Sequence, residues 1–242
     1  MIAQETKMQV EIWSDVMCPF CYIGKRKFEA ALDQFADRDS VEVVWKSFQL
    51  DPDQPTLPDK TIYEYLAERK GMSVAQARQM TAHVTDVASQ VGLTFHFDQS
   101  VTANSFDAHR LLHLAKQHGR QNEAEERLFA AYFTEGRNIA DRATLIELGQ
   151  TIGLDPAEVR SVLESDQHTD AVRHDIYEAR QFGVQGVPFF VFDRKYAVSG
   201  AQPSQTFLEA IKTSFGEWKQ EAGASTLAVA QGETCTPDGD CQ

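Results

Sequence analysis

Val10-Glu11-Ile12-Trp13-Ser14-Asp15-Val16-Met17-Cys18-Pro19-Phe20-Cys21-Tyr22-Ile23-Gly24 is the stretch on which the reading of this chain turns. A short apolar run, Val10 to Trp13, gives way to two thiols three positions apart and then to an amphipathic helix pattern. With the run as a strand and the rest as a helix, Cys18 falls in the helix's first turn. Unpaired backbone N–H groups and the positive end of the helix dipole there favour its thiolate over its thiol. Pro19 suits the place, because an early helical position loses no needed N–H and its φ is preset. Cys18 is then an activated, exposed sulfur, and Cys21, about one turn on, is able to resolve a mixed disulfide. Half of a zinc site has the same C-x-x-C spacing. The strand before the pair and the proline inside it favour redox chemistry.

Outward from this motif, residues 8–14 read as a first strand, and residues 19–36 as a helix with Phe20, Ile23, Phe28, Ala31, Leu32 and Phe35 at helical spacing. Val41 to Phe48 is β-branched and aromatic, a second strand. Asp51 to Asp59 contains Pro52, Pro55 and Pro58 and is a loop. Helical patterns then follow at 62–70, 74–91, 105–118, 123–134, 142–152 and 156–165, punctuated by glycines. Strand character returns at 188–193 and 196–199, and a last helix is expected over 204–219, started by Pro203. The order β-α-β, helical block, α-β-β-α calls for a four-stranded α/β core interrupted by an all-helical insertion. The expected divisions are a core segment at 8–55, the insertion at 56–172, a second core segment at 173–219 and a flexible tail at 220–242. The tail, small and polar, has too little apolar bulk to fold alone.

The chain has 242 residues, 42% of them hydrophobic, enough for a substantial core. A formal net charge of −13 argues against nucleic acid or an anionic membrane as partner. No uninterrupted apolar stretch approaches the roughly 18 residues of a membrane span. Met1 to Lys7 lacks a basic segment followed by an apolar core, so the expectation is a cytoplasmic protein, although a mature secreted form would look similar. In the cytoplasm thiols are kept reduced, and a paired-cysteine motif is there catalytic more often than structural.

Ser14 to Gly24 resembles the thioredoxin-fold thiol oxidoreductases of the DsbA family, specifically the cytosolic FrnE-like branch. Two further segments are similar: Gly183-Val184-Gln185-Gly186-Val187-Pro188-Phe189-Phe190-Val191-Phe192, and Ala103-Asn104-Ser105-Phe106-Asp107-Ala108-His109-Arg110-Leu111 in the insertion. The matched segments frame residues 8–216. The resemblance implies a thioredoxin fold with a helical lid over the active site. It also implies Cys18 as nucleophile, Cys21 as resolving thiol, and a substrate-facing loop at Val187-Pro188 with Pro188 cis. Pro19 and Phe20 face the substrate in the same reading. An ordinary trans proline starting a strand is the alternative for Pro188. Kappa-class glutathione transferases and 2-hydroxychromene-2-carboxylate isomerases are similar in fold and insertion but place a serine where this chain has Cys18.

Asp15 is read either as a proton shuttle or tuning group for the thiols, or as a helix cap. Lys25, Arg26 and Lys27 are expected to form a solvated helix face. His109 and His113, at i and i+4, have a spacing that can bind metal, but without an HExxH pattern they read as surface or partly buried, with His109 able to line the cleft. Cys235 and Cys241 flank the turn Thr236-Pro237-Asp238-Gly239 and are expected to form an auxiliary redox pair; metal ligation and inert thiols are the alternatives. The expected function is thiol–disulfide oxidoreductase or disulfide isomerase, with no metal and no organic cofactor. Its partners would be disulfide- or dithiol-containing proteins and glutathione or a thioredoxin-type reductant. A glutathione-binding transferase or isomerase is the second reading.

Overall fold

The structure, a computed structural model, describes residues 7–57 and 59–224. Four strands form one sheet: β1 (Met8–Ser14), β2 (Val41–Ser47), β3 (Phe189–Phe192) and β4 (Tyr196–Ser199), in the order β2-β1-β3-β4. β2 runs parallel to β1, Ile12 opposite Trp45; β3 runs antiparallel on the other side, Ile12 opposite Phe190. Strands expected from opposite ends of the chain thus share one sheet.

Strand alternation decides which face each residue serves. Val10, Ile12, Phe190 and Phe192 point to a core completed by α1 (Pro19–Leu32) and α9 (Ser204–Ala224), where Phe28, Ala31, Phe207, Ile211 and Phe215 pack. Trp13 and Val191 point to the other face and meet Ala179 and Val184, on and just after α8 (Thr169–Gln181). α8 spans the expected boundary at 172, and α9 runs past residue 219. Cys235, Cys241 and the tail from 225 onward lie outside the described residues.

Six helices lie between β2 and α8: α2 (Ile62–Lys70), α3 (Val74–Ser89), α4 (Phe106–Gln117), α5 (Gln121–Phe133), α6 (Arg142–Thr151) and α7 (Pro156–Glu164). α2 and α3 start with reciprocal capping boxes, Thr61 with Glu64 and Ser73 with Gln76. The inserted core is continuous with one side of α1: Cys21, Tyr22 and Ile23 share it with Phe95, Phe129 and Phe133. Tyr22 stacks on Phe129 at 4.8 Å between ring centroids. α5 of the insertion and α8 also cover the free edge of β2. Gln121 accepts from the Trp45 N–H at 3.0 Å and donates to the Trp45 carbonyl at 2.8 Å, while Asp175 accepts from the Ser47 N–H. These bonds satisfy backbone groups that would otherwise offer a template for another strand.

Candidate active site

Cys18 is the N-cap residue of α1, with extended backbone (φ −92°, ψ 112°), and Pro19 follows as the first helical residue. The turn leading to it closes by a 2.9 Å bond from the Cys18 N–H to the Asp15 carbonyl. Both thiols are free and neither is exposed. This corrects the expectation for Cys18, of which only 4% is accessible. The physical reason is the partner loop: the Cys18 Sγ lies 3.4 Å from the Val187 carbonyl oxygen, to which the thiol donates. The Val187–Pro188 peptide is cis. Gly24 lets this loop approach, since a Cβ there would stand 3.0 Å from Pro188 Cγ. Phe20, between the cysteines, is 42% exposed.

Cys21 sits one turn deeper, with no exposed surface. Burial pushes its thiol well above the ordinary value, and Cys18 adds to the effect. The Asp15 backbone and the Ser14 hydroxyl act the other way.

Asp15 is buried, but it does not cap α1, which has no side-chain cap. Its carboxylate accepts from the Leu50 N–H at 2.7 Å and the Met17 N–H at 3.3 Å, tying the motif turn to the segment after β2. His109, on α4, brings its Nε2 to 3.5 Å from Asp15 Oδ1. The alignment is not that of a hydrogen bond, and neither ring nitrogen has a hydrogen-bonded partner among the described residues. Burial lowers the His109 pKa, but contact with the Asp15 carboxylate outweighs it and holds the ring above its ordinary value. His109 is therefore an interior histidine paired with Asp15. His113 turns elsewhere: its Nε2 lies 3.0 Å from Asp175 and 3.2 Å from the Ser47 hydroxyl. With one nitrogen facing both groups, these three cannot act as a nucleophile–base–orienter chain. Among the described residues no group of three or more His, Cys, Asp or Glu is placed to hold a metal.

The rest of the matched insertion motif fastens loops. Asn104 donates to the Pro52 and Gln54 carbonyls, and Arg110 donates to the carbonyls of Val162, Ser165 and Gln167.

Lys25 and Arg26 are a second correction. Instead of a solvated face they form ion pairs with Glu29 and with Glu126 of α5, and Lys25 is 2% exposed. Lys27 donates to the Ala201 carbonyl at 3.0 Å. The spacing to Glu29 is visible within α1, but the Glu126 carboxylate that completes the cluster lies 100 positions from Arg26 and cannot be read from the helix.

Glu125 and Ser14 are the groups that sequence reasoning missed. Ser14 Oγ donates to Glu125 Oε1 at 2.6 Å behind the thiols, with Glu125 fully buried. A signal was present: Glu125 lies on the stripe Gln121, Leu128, Phe129, Tyr132, the buried side of α5. The run Glu123-Ala124-Glu125-Glu126 disguises it as a solvated face.

The fold and this site agree with kinship. The chain belongs to the DSBA-like thioredoxin domain family, whose model matches residues 9–212. The uncharacterized protein YwbO of Bacillus subtilis (strain 168) is 29% identical over 216 residues, 84% of this chain and 96% of that protein. The crystal structure of a probable DsbA oxidoreductase from Streptomyces coelicolor is similar at a TM-score of 0.83 and 41% identity, covering 97% of this chain and 98% of that one. A 2-hydroxychromene-2-carboxylate isomerase is similar at a TM-score of 0.62 and 14% identity, covering 90% of this chain and 100% of that one. At that identity the likeness concerns the fold alone.

Proposed function

We propose that this protein is a thiol–disulfide oxidoreductase of the FrnE-like branch, able to act as a disulfide isomerase on protein substrates. The observation that carries the reading is the free Cys18 sulfur at the N-cap of α1, facing the cis Val187–Pro188 loop with Cys21 one turn behind. In reduction, the Cys18 thiolate attacks one sulfur of a substrate disulfide. A Cys18–substrate S–S bond forms and the other substrate sulfur leaves as a thiolate. The Cys21 thiolate then attacks Cys18 Sγ, closing the Cys18–Cys21 disulfide and releasing the second substrate thiolate. Two electrons pass from the dithiol to the substrate. Two glutathione molecules or a thioredoxin-type protein would restore the dithiol, a reaction suited to the reducing cytoplasm. The reverse order oxidises a dithiol, and attack on the mixed disulfide by another substrate thiol isomerises it.

Pro19, Phe20, Val187 and Pro188 form the substrate-facing rim in this reading, with Phe20 offering apolar contact. The buried Asp15–His109 pair sets the electrostatics behind it. Cys235 and Cys241 enter as an auxiliary dithiol, and changing both to serine is expected to slow turnover with a thioredoxin-type reductant.

Cys18→Ser is expected to abolish reduction of insulin disulfides, and Cys21→Ser to accumulate a covalent mixed disulfide visible by mass spectrometry. Full insulin reduction by Cys18→Ser would overturn the reading. The second reading, a glutathione-binding transferase or isomerase, draws on the fold shared with the isomerase. Cys21 has no task in it, so glutathione conjugation retained by Cys21→Ser without any trapped species would favour it.

A further inference from the structure

A groove of about 310 Å³ opens between α8, the segment after β2 and the start of α4. Pro52, Phe106 and Ile176 give it an apolar floor, and Arg173, Tyr177 and Arg180 of α8 stand along one side. Tyr177 is 58% exposed, a large aromatic ring left in water. Gln49 joins the groove to the redox site. It lies between Phe48, which packs against the same buried cluster as Val187, and Leu50, whose N–H is held by Asp15 three residues before Cys18. The groove therefore adjoins both the loop and the turn that frame the Cys18 sulfur.

Its charge runs against that of the chain. The protein carries 36 acidic and 23 basic residues, yet two guanidinium groups and no carboxylate line this groove. The carboxylates nearest in sequence are already engaged: Asp51 by Arg69 and Tyr65, Asp107 by Arg110, and Asp175 and Glu178 by Lys46. Arg173 lies 3.9 Å from Asp170, with both side chains mostly in water, a contact of little strength. Arg180 forms no ion pair among the described residues. Seven positions apart, the two arginines share one side of α8 and stand about 10 Å apart along its axis, with Tyr177 between them. The groove between α6 and α7 also holds two arginines, Arg142 and Arg160, but Glu164 lies between the same walls.

We propose that this groove docks an acidic segment of the substrate protein, close in sequence to the cysteine that Cys18 attacks. Arg173 and Arg180 each take a carboxylate, a group their planar forks can grip through two parallel hydrogen bonds. In an extended segment alternate residues share a face about 7 Å apart, so an acidic pair at i and i+2 presents both carboxylates to the two long arginine side chains. Tyr177 and the apolar floor cover the carbon stems between them. A protein of net charge −13 repels acidic partners at a distance, so attraction confined to this place selects substrates by where their acidic residues lie, not by their total charge. The inference rests on the oxidoreductase reading above and names a substrate class for the same thiols.

The test uses the full chain with Cys235→Ser and Cys241→Ser, reduced, and three peptides whose single cysteine is disulfide-linked to a chromogenic aromatic thiol. The peptides differ only beside that cysteine, in a Glu-x-Glu, Gln-x-Gln or Lys-x-Lys stretch. Attack by Cys18 on the peptide sulfur releases the coloured thiolate, and its rate against protein concentration gives a half-saturating concentration and a limiting rate. The Glu-x-Glu peptide should half-saturate at about a tenth of the concentration the Gln-x-Gln peptide needs, the effect of two exposed ion pairs, with equal limiting rates. About 1 M salt should remove most of that gap. Replacing both exposed arginines, Arg173→Gln with Arg180→Gln, should erase the preference, and Arg173→Glu with Arg180→Glu should transfer it to the Lys-x-Lys peptide. Arg160→Gln, in the other groove, should leave it intact. Equal half-saturation of the parent by the Glu-x-Glu and Gln-x-Gln peptides overturns the proposal, as does a preference that survives both arginine-to-glutamate changes or is lost in Arg160→Gln. A parent that releases thiolate from none of the three peptides sinks the oxidoreductase reading itself, and this inference with it.

Discussion

A carboxyl group with no exposed surface weakens a folded protein whenever it is ionised, and Glu125 is such a group. Its pKa rises from 4.5 to about 7 on folding, so the folded state holds the proton more tightly than the unfolded chain. The stability tied to that proton is fully present below pH 4.5 and is lost as pH rises through about 7. Glu125→Gln has nothing to lose over this window. Its stability advantage over the parent should therefore grow between these values and level off at ~3 kcal/mol. Urea midpoints of both proteins at acid and mildly alkaline pH check this; an advantage independent of pH would contradict it. The neighbouring residues differ in how far the sequence exposes them. Cys18 and Cys21 stand in a short C-x-x-C spacing that is visible without a fold, and Pro188 is singled out by the family resemblance. Ser14, Glu125 and the Asp15–His109 pair acquire their meaning only from side chains more than ninety positions apart.

α1 is the element on which the site depends, because it serves two cores at once. Phe28 and Ala31 face the sheet, Cys21, Tyr22 and Ile23 face the insertion, and Gly24 faces the loop at Pro188. At Gly24→Ala two effects compete. Alanine raises helix propensity by about 1 kcal/mol. The new Cβ, 3.0 Å from Pro188 Cγ with Phe190 and Ala201 close behind, overpacks the contact, which costs about 1–3 kcal/mol. The expected result is a net loss of up to ~2 kcal/mol, together with slower attack by Cys18 as the loop is pushed from its sulfur. Thermal midpoints and the initial rate of insulin reduction measure the two. A variant both stabilised and fully active would show that the loop yields freely. Helical periodicity located α1, but it overran the end: a helix expected to 36 stops at Leu32. Phe35 still joins the sheet core from the turn beyond, so apolar spacing marks burial there rather than helix.

Across the whole molecule the insertion and the sheet domain share side chains rather than meeting at a surface. Cys18, Cys21 and Tyr22 belong to the same packed cluster as Leu128 and Phe133. Gln121 completes the hydrogen bonding of β2, and Lys25 and Arg26 are neutralised by Glu126. Separation would leave Lys25 buried without part of its counter-charge and would expose the aromatic cluster, so the two parts are expected to unfold together. The three tryptophans, Trp13, Trp45 and Trp218, all lie in the sheet domain, whereas α2 to α7 supply much of the helical signal. Denaturation followed by tryptophan fluorescence and by far-ultraviolet circular dichroism should give one midpoint. Two separated midpoints would mean that the insertion is an independent unit.

Element type and order were legible in the chain because period-2 and period-3.6 patterns, caps and glycine punctuation are local properties of the backbone. The two thiols were legible as a local C-x-x-C spacing, whereas the place of Pro188 opposite them was expected from the family resemblance. The tertiary structure alone decided which charges are interior. Lys25, Glu125 and Asp175 look like solvated residues in sequence. Each is buried because a partner from a distant segment offsets part of the cost of leaving water. That cost and its offset are sums over three-dimensional neighbours, and no one-dimensional period encodes them.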